Sequence, residues 1–251
     1  MRVDYFKEYS HRLGRDMEFK VYGHTGKPLL VFPTSGGRFY QYEDFGMIAA
    51  ISGFIEGGRV QVWACDSIDG ETFLARGGNA HDRIQQHERY FKYITEELIP
   101  VIRDRNRSDN NGFEHGLMAT GCSLGAYHSA NAYFRFPWHF DSFIALSGVY
   151  STDGFFGGYM DETIYLNSPI HYLANLTDEN YLDRYRQHKI VICCGQGSYE
   201  DQMLADTLKM KDILAAKNIP AWIDTWGGDV NHDWDWWRKQ MPYFLDKYFG
   251  E

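Results

Sequence analysis

Short apolar runs alternate with longer amphipathic stretches through most of this 251-residue chain. Of everything in the sequence, this alternation most restricts the fold, because it is the pattern of a mainly parallel sheet covered by helices on both faces. Residues 15–23 and 28–33 read as an early pair of strands, followed by strands at 60–65, 116–122, 142–146, 189–194 and 221–226. The clearest helix spans about 81–105, where Ile84, Tyr90, Phe91, Ile94, Leu98, Ile99 and Ile102 recur at helical spacing. Further helices fit 124–135, 202–217 and 234–248. The rhythm breaks between about 150 and 187, which reads as an insertion near the C-terminal edge of the sheet, where α/β folds place lids and specificity elements. A chain of this length without linker or repeat is expected to form one domain over 1–251.

Charge narrows the range of partners. The net charge of −9 and the lack of any Lys/Arg stripe argue against nucleic acid and against an anionic membrane surface. No apolar run reaches membrane-spanning length, and Met1-Arg2-Val3-Asp4-Tyr5-Phe6-Lys7-Glu8 lacks the features of a signal peptide, so a cytoplasmic location is expected. Cys65, Cys122, Cys193 and Cys194 end apolar runs and are expected to be reduced thiols in the core. Aromatic residues make up 17% of the chain, enough to fill a core and also wall a cleft for an organic ligand.

The motif that carries chemistry is Gly121-Cys122-Ser123-Leu124-Gly125, between a strand-like and a helix-like run. A serine on a tight strand-to-helix turn takes a strained backbone, so the residues two before and two after it must be small. The helix N-terminus then directs partial positive charge at the site of a forming oxyanion, and the Leu124 N–H can donate to it. Read structurally instead, the same pentapeptide is a glycine-flanked helix cap.

A serine nucleophile needs a histidine to take its proton and an acid to orient that histidine. Only His232 follows the final strand, in the Gly227-Gly228-Asp229-Val230-Asn231-His232-Asp233-Trp234 loop. His128 is nearer in sequence but points away along the following helix, where a capping or surface role is expected. The acid belongs after the 189–194 strand, where Glu200 and Asp201 compete; Glu200 is preferred, leaving Asp201 to cap the next helix. A second oxyanion donor is expected in Phe32-Pro33-Thr34-Ser35-Gly36-Gly37-Arg38, with Ser35 first and Gly36 as the alternative. That segment has neither phosphate-binding nor dinucleotide-binding spacing, and no cofactor is expected. No metal site is expected either, because His232, Asp233 and Asp235 lie too close together at a helix start to converge on one ion. Trp226, Trp234, Trp236 and Trp237 border His232, with at least two of them expected in the core; Phe155, Phe156 and Tyr159 offer the other pocket wall.

With these residues in place, the chain resembles the putative-esterase branch of the α/β-hydrolases, which includes esterase D-like enzymes, feruloyl esterases and mycolyltransferases. The resemblance rests on Ser10-His11-Arg12-Leu13-Gly14-Arg15 leading into paired strands, on the Ser123 motif followed by Ala126, and on Ala145-Leu146-Ser147-Gly148. Its most specific part is Asn231-His232-Asp233-Trp234, similar to the family's Gly-His-Asp-Trp. Two departures stand out: Pro33-Thr34 replaces the usual His-Gly, and the acid loop holds two carboxylates. The resemblance implies an α/β-hydrolase fold and a small-molecule ester substrate cleaved through an acyl-Ser123 intermediate, with a glutamate as acid in some relatives. An acyltransferase using the same intermediate, or a binding protein that keeps the fold without turnover, are the alternatives.

Overall fold

The computed structural model describes residues 1–250. Its centre is one eight-stranded sheet in the order β1-β2-β4-β3-β5-β6-β7-β8. The strands are β1 (Val3–Ser10), β2 (Arg15–Tyr22), β3 (Lys27–Phe32), β4 (Val60–Cys65), β5 (Leu117–Cys122), β6 (Phe140–Leu146), β7 (Lys189–Cys194) and β8 (Trp222–Thr225). β1 and β2 form an antiparallel hairpin, and β2 pairs antiparallel with β4; every pairing from β4 to β8 is parallel. The two strands expected as an early pair, 15–23 and 28–33, therefore do not pair with each other. β3 lies between β4 and β5, because a parallel strand buried on both sides belongs in the middle of a sheet.

Side-chain alternation divides the core into two layers. On β3, Leu30 and Phe32 face one layer and Leu29 and Val31 the other; Ala119 and Met118 divide in the same way on β5. The first layer is covered by α4 (Ala80–Lys92), α5 (Ile99–Asp109), α6 (Leu124–Arg135), α8 (Pro169–Asn175), α9 (Glu179–Gln187) and α10 (Asp201–Ala216). The second is covered by α1 (Gln41–Asp44), α2 (Met47–Ala50), α3 (Ser52–Glu56) and α11 (Trp234–Phe249). The expected helix 81–105 is α4 and α5 joined through a π-helical stretch, Tyr93–Leu98.

The insertion from 150 to 187 holds a loop and three helices: α7 (Glu162–Leu166), α8 and α9. Its Phe156 joins Phe73, Ile84, Leu124, Tyr127 and Ile164 in a small third apolar cluster beside the start of α6. All four cysteines are free and buried, as expected. Burial pushes the Cys122 thiol up to about 12, so it stays protonated beside Ser123, within 3.3 Å of the Tyr42 hydroxyl. Among the described residues, no helix is long and apolar enough to cross a membrane.

Candidate active site

Parallel strands aim their C-terminal ends the same way, and the loops leaving β3, β5, β6, β7 and β8 carry Ser35, Ser123, Ser147, Glu200 and His232 to one edge of the sheet. Ser123 sits between β5 and α6 with φ 56° and ψ −123°, a conformation that costs a non-glycine residue about 1–3 kcal/mol. The flanking glycines make this turn possible. A Cβ on Gly121 would stand 2.3 Å from the Gly125 carbonyl, and one on Gly125 would stand 2.3 Å from the Phe32 carbonyl oxygen. The α6 helix is thereby packed against the end of β3, and Leu124, at the first helical position, keeps an N–H with no intrahelical acceptor.

His232 Nε2 lies 2.9 Å from Ser123 Oγ. Its other ring nitrogen, Nδ1, is 3.6 Å from Glu200 Oε2. The Glu200 side chain is 1% exposed. Its Oε1 accepts a 2.5 Å hydrogen bond from the Ser147 hydroxyl, which accepts in turn from the Trp237 indole N–H at 3.0 Å. The Trp237 ring also packs edge-on against the imidazole, with centroids 4.9 Å apart. Two loops far apart in sequence are laced together beneath this group. The His232 N–H donates to the Ser198 carbonyl at 3.0 Å, Gly197 N–H to the Val230 carbonyl at 2.8 Å, and Ser198 N–H to the Asn231 side-chain oxygen at 2.8 Å.

The two competing carboxylates are clearly separated: Glu200 is buried facing His232, and Asp201 is exposed in the first turn of α10. The expected cap by Asp201 is corrected, because the N-cap position is Glu200, whose side chain makes no capping bond. The expectation for His128 is also corrected. It is fully buried and its Nε2 lies 2.8 Å from Asp69 Oδ1, because α6 is covered on all sides and offers no surface for that side chain. Asp233 caps α11 by accepting from the Trp236 N–H at 3.2 Å, and Asp235 pairs with Arg238.

In the loop after β3, the Thr34 hydroxyl that stands where the resemblance expects glycine is used in holding the loop. The Thr34 N–H donates to Gln41 Oε1 at 2.8 Å, and the Gln41 amide donates back to the Thr34 hydroxyl at 2.7 Å, so Thr34 N–H is spent on holding the loop. Gly36 follows with φ +67°, turning the chain where a side chain would be strained. Ser35, exposed, lines a cleft of about 150 Å³ together with Ser123, Leu124, Ser147, Val149, Phe155 and Met203. Of the aromatics expected near the site, Phe155 enters this wall and Tyr159 is exposed. Of the four tryptophans bordering His232, Trp237 alone is buried, where at least two are expected in the core. Phe156 and Trp237 are core, Trp226 and Trp234 pack partly buried against the second layer, and Trp236 lies edge-on to Trp226. Ser147, Gln41 and Asn231 were not singled out as site residues in the sequence. The Ser147-Gly148 and Asn231-His232 matches were the signal that could have raised two of them.

Residues 10–248 match the family described as putative esterase. A search of curated proteins returns no match. Among solved structures, the chain is similar to a ferulic acid esterase at TM-score 0.75 and 15% identity, covering 99% of both chains. It is similar to S-formylglutathione hydrolase from Staphylococcus aureus at TM-score 0.67 and 15% identity, covering 98% of this chain and 96% of that one. The MPT51 protein of Mycobacterium tuberculosis aligns at TM-score 0.70 and 13% identity, over 100% of this chain and 98% of that one. The fold is that of the α/β-hydrolases.

Proposed function

Because this chain belongs to the putative-esterase family, we propose that it hydrolyses a carboxylic ester through an acyl-enzyme on Ser123, with His232 as base and Glu200 as its acid partner. The observation that carries this reading is the 2.9 Å contact between His232 Nε2 and a Ser123 hydroxyl held on a strained turn. Ser123 Oγ attacks the ester carbonyl while Nε2 takes its proton, and negative charge moves onto the carbonyl oxygen. The N–H groups of Leu124 and Ser35 receive that oxyanion, aided by the positive end of α6. Nε2 then passes the proton to the leaving oxygen, and the C–O bond breaks. Water enters, gives a proton to Nε2, attacks the acyl carbon and releases the acid, and the proton returns to Ser123.

Glu200 favours the imidazolium by facing Nδ1, and its geometry is fixed from behind by Ser147 and Trp237. The 3.6 Å separation closes to a hydrogen bond when the ring becomes charged. A fluorophosphonate probe tests the reading directly. Wild type is expected to be labelled and to turn over p-nitrophenyl acetate, and Ser123→Ala to do neither; an unlabelled, inactive wild type refutes it.

A further inference from the structure

The cleft at Ser123 ends against a wall, and a second cavity opens behind it. That second cavity measures about 510 Å³ and is lined by polar groups including Asp153, Gln202, Asp206 and Lys209. Val149 and Phe155 stand in the walls of both cavities. These two residues therefore separate the small space at the reacting serine from a much larger one.

Phe155 lies on an irregular loop, yet it is fixed in position. The Arg83 guanidinium, reaching from α4, donates to three backbone carbonyls: Thr72 at 2.8 Å, Phe73 at 3.1 Å and Phe155 at 3.0 Å. The same guanidinium lies 5.0 Å from the centroid of the Phe156 ring. Phe73 packs edge-on against both neighbours, with centroids 5.1 Å from Phe155 and 5.3 Å from Phe156. One cation thus ties the insertion to the loop after β4, and the Phe155 backbone has no freedom to swing away without breaking that bond.

Building on the ester-hydrolase reading, we infer that Phe155 is the specificity wall of the site, positioned by Arg83, and that it limits the substrate to esters of small acyl groups. The acyl portion is the part that enters this cleft. The leaving oxygen must lie within reach of His232 Nε2 to receive its proton, and His232 is not among the residues that line the cleft, whereas both proposed oxyanion donors are. A volume of about 150 Å³ is well below the 300–1,000 Å³ of pockets that enclose a drug-sized ligand. Short, compact acyl chains fit, and a long chain meets the Phe155 wall.

The test is kcat/KM for p-nitrophenyl acetate, butyrate and octanoate with wild type, Phe155→Ala and Arg83→Met, with the melting temperature of each protein recorded. Wild type is expected to prefer acetate over octanoate by about 100-fold, within the range of discrimination a pocket exerts through methylenes. Phe155→Ala joins the two cavities and shrinks that ratio at least tenfold; Arg83→Met shrinks it less, beyond anything its melting temperature accounts for. Should Phe155→Ala not fold, Phe155→Leu is measured instead, with a smaller shift in the same direction. A wild type that handles octanoate as well as acetate, or a ratio untouched in the Phe155 variant, overturns the inference while Ser123-dependent acetate hydrolysis leaves the ester-hydrolase reading intact. If none of the three esters is hydrolysed and Ser123 resists the probe, both are overturned.

Discussion

Two histidines face buried carboxylates, and their surroundings differ in every other respect. His128 lies five residues beyond Ser123 in the chain, and its Nε2 meets Asp69 at 2.8 Å with side chains 0% and 2% exposed. His232 lies 109 residues from Ser123; it meets Glu200 at the longer 3.6 Å and keeps 15% of its side chain exposed. The tighter pair is sealed among Phe32, Phe73, Tyr90, Phe91 and Tyr127, and the other ring nitrogen of His128, Nδ1, has no hydrogen-bond partner among the described residues. In the looser pair one ring nitrogen faces the acid and the other faces a serine hydroxyl at a cleft. An acid and a histidine are equally available for holding a core together or for moving a proton. What separates the two is the third group beside the ring and the cleft next to it.

The largest effect that could break this contrast is on rate. His232→Ala is expected to lower kcat/KM on p-nitrophenyl acetate by about 10⁴-fold or more, the scale seen when a base that acts as a unit with its nucleophile is removed. His128→Ala, assayed per folded molecule, is expected to stay within the wild-type order of magnitude. A comparable loss in both variants means that the sealed pair belongs to the catalytic machinery and the contrast fails.

The second effect is on stability and runs the other way. Asp69→Ala leaves a buried imidazole N–H without its acceptor and opens a void, at a cost of about 3 kcal/mol of unfolding free energy. His232→Ala, at a partly open site, is expected to cost less than about 1 kcal/mol. Urea unfolding of the two variants decides; equal midpoints remove the distinction between structural and catalytic pairs.

How far this contrast is visible in the sequence depends on burial patterns. Val60–Cys65, Lys189–Cys194 and Leu124–Arg135 have the bounds expected of them, because continuous apolar runs ended by turn residues mark strands and helices buried on both sides. β1 was missed, since its half-exposed alternation with Lys7 and Glu8 carries little apolar signal at a sheet edge. The four-residue helices α1 and α2, and the short helices of the insertion, are too brief to show a period. The meeting of Ser123, His232 and Glu200 at one edge of the sheet follows from the glycine spacing, the chain order and the loop after β7. The expected surface place of His128 fails for a physical reason: a helix buried on every face has no polar side, so a polar residue there does not mark the surface. Ser147 was not singled out as a site residue because a lone serine after a strand says nothing about a carboxylate on a different loop.

The smallest effect sharpens the sealed region further. His87 stacks on His128 with ring centroids 5.3 Å apart, and neither of its ring nitrogens has a hydrogen-bond partner among the described residues. Burial holds its pKa well below the usual 6.5, and the nearby Arg135 charge acts in the same direction. Above about pH 6.5 the imidazole is neutral in both the folded and the unfolded chain, so it contributes no pH dependence. As the pH falls below that value the unfolded chain takes up a proton that the folded chain refuses, and stability drops by up to about 1.4 kcal/mol per pH unit until the lowered folded pKa is reached. His87→Leu removes that proton from the balance. Urea unfolding of wild type and His87→Leu at pH 7, 6 and 5 is therefore expected to show wild type losing more stability toward acid, with the gap opening only below pH 6.5. Parallel pH profiles would mean that His87 is protonated in the folded core, and that the sealed cluster is a charged network rather than a neutral one.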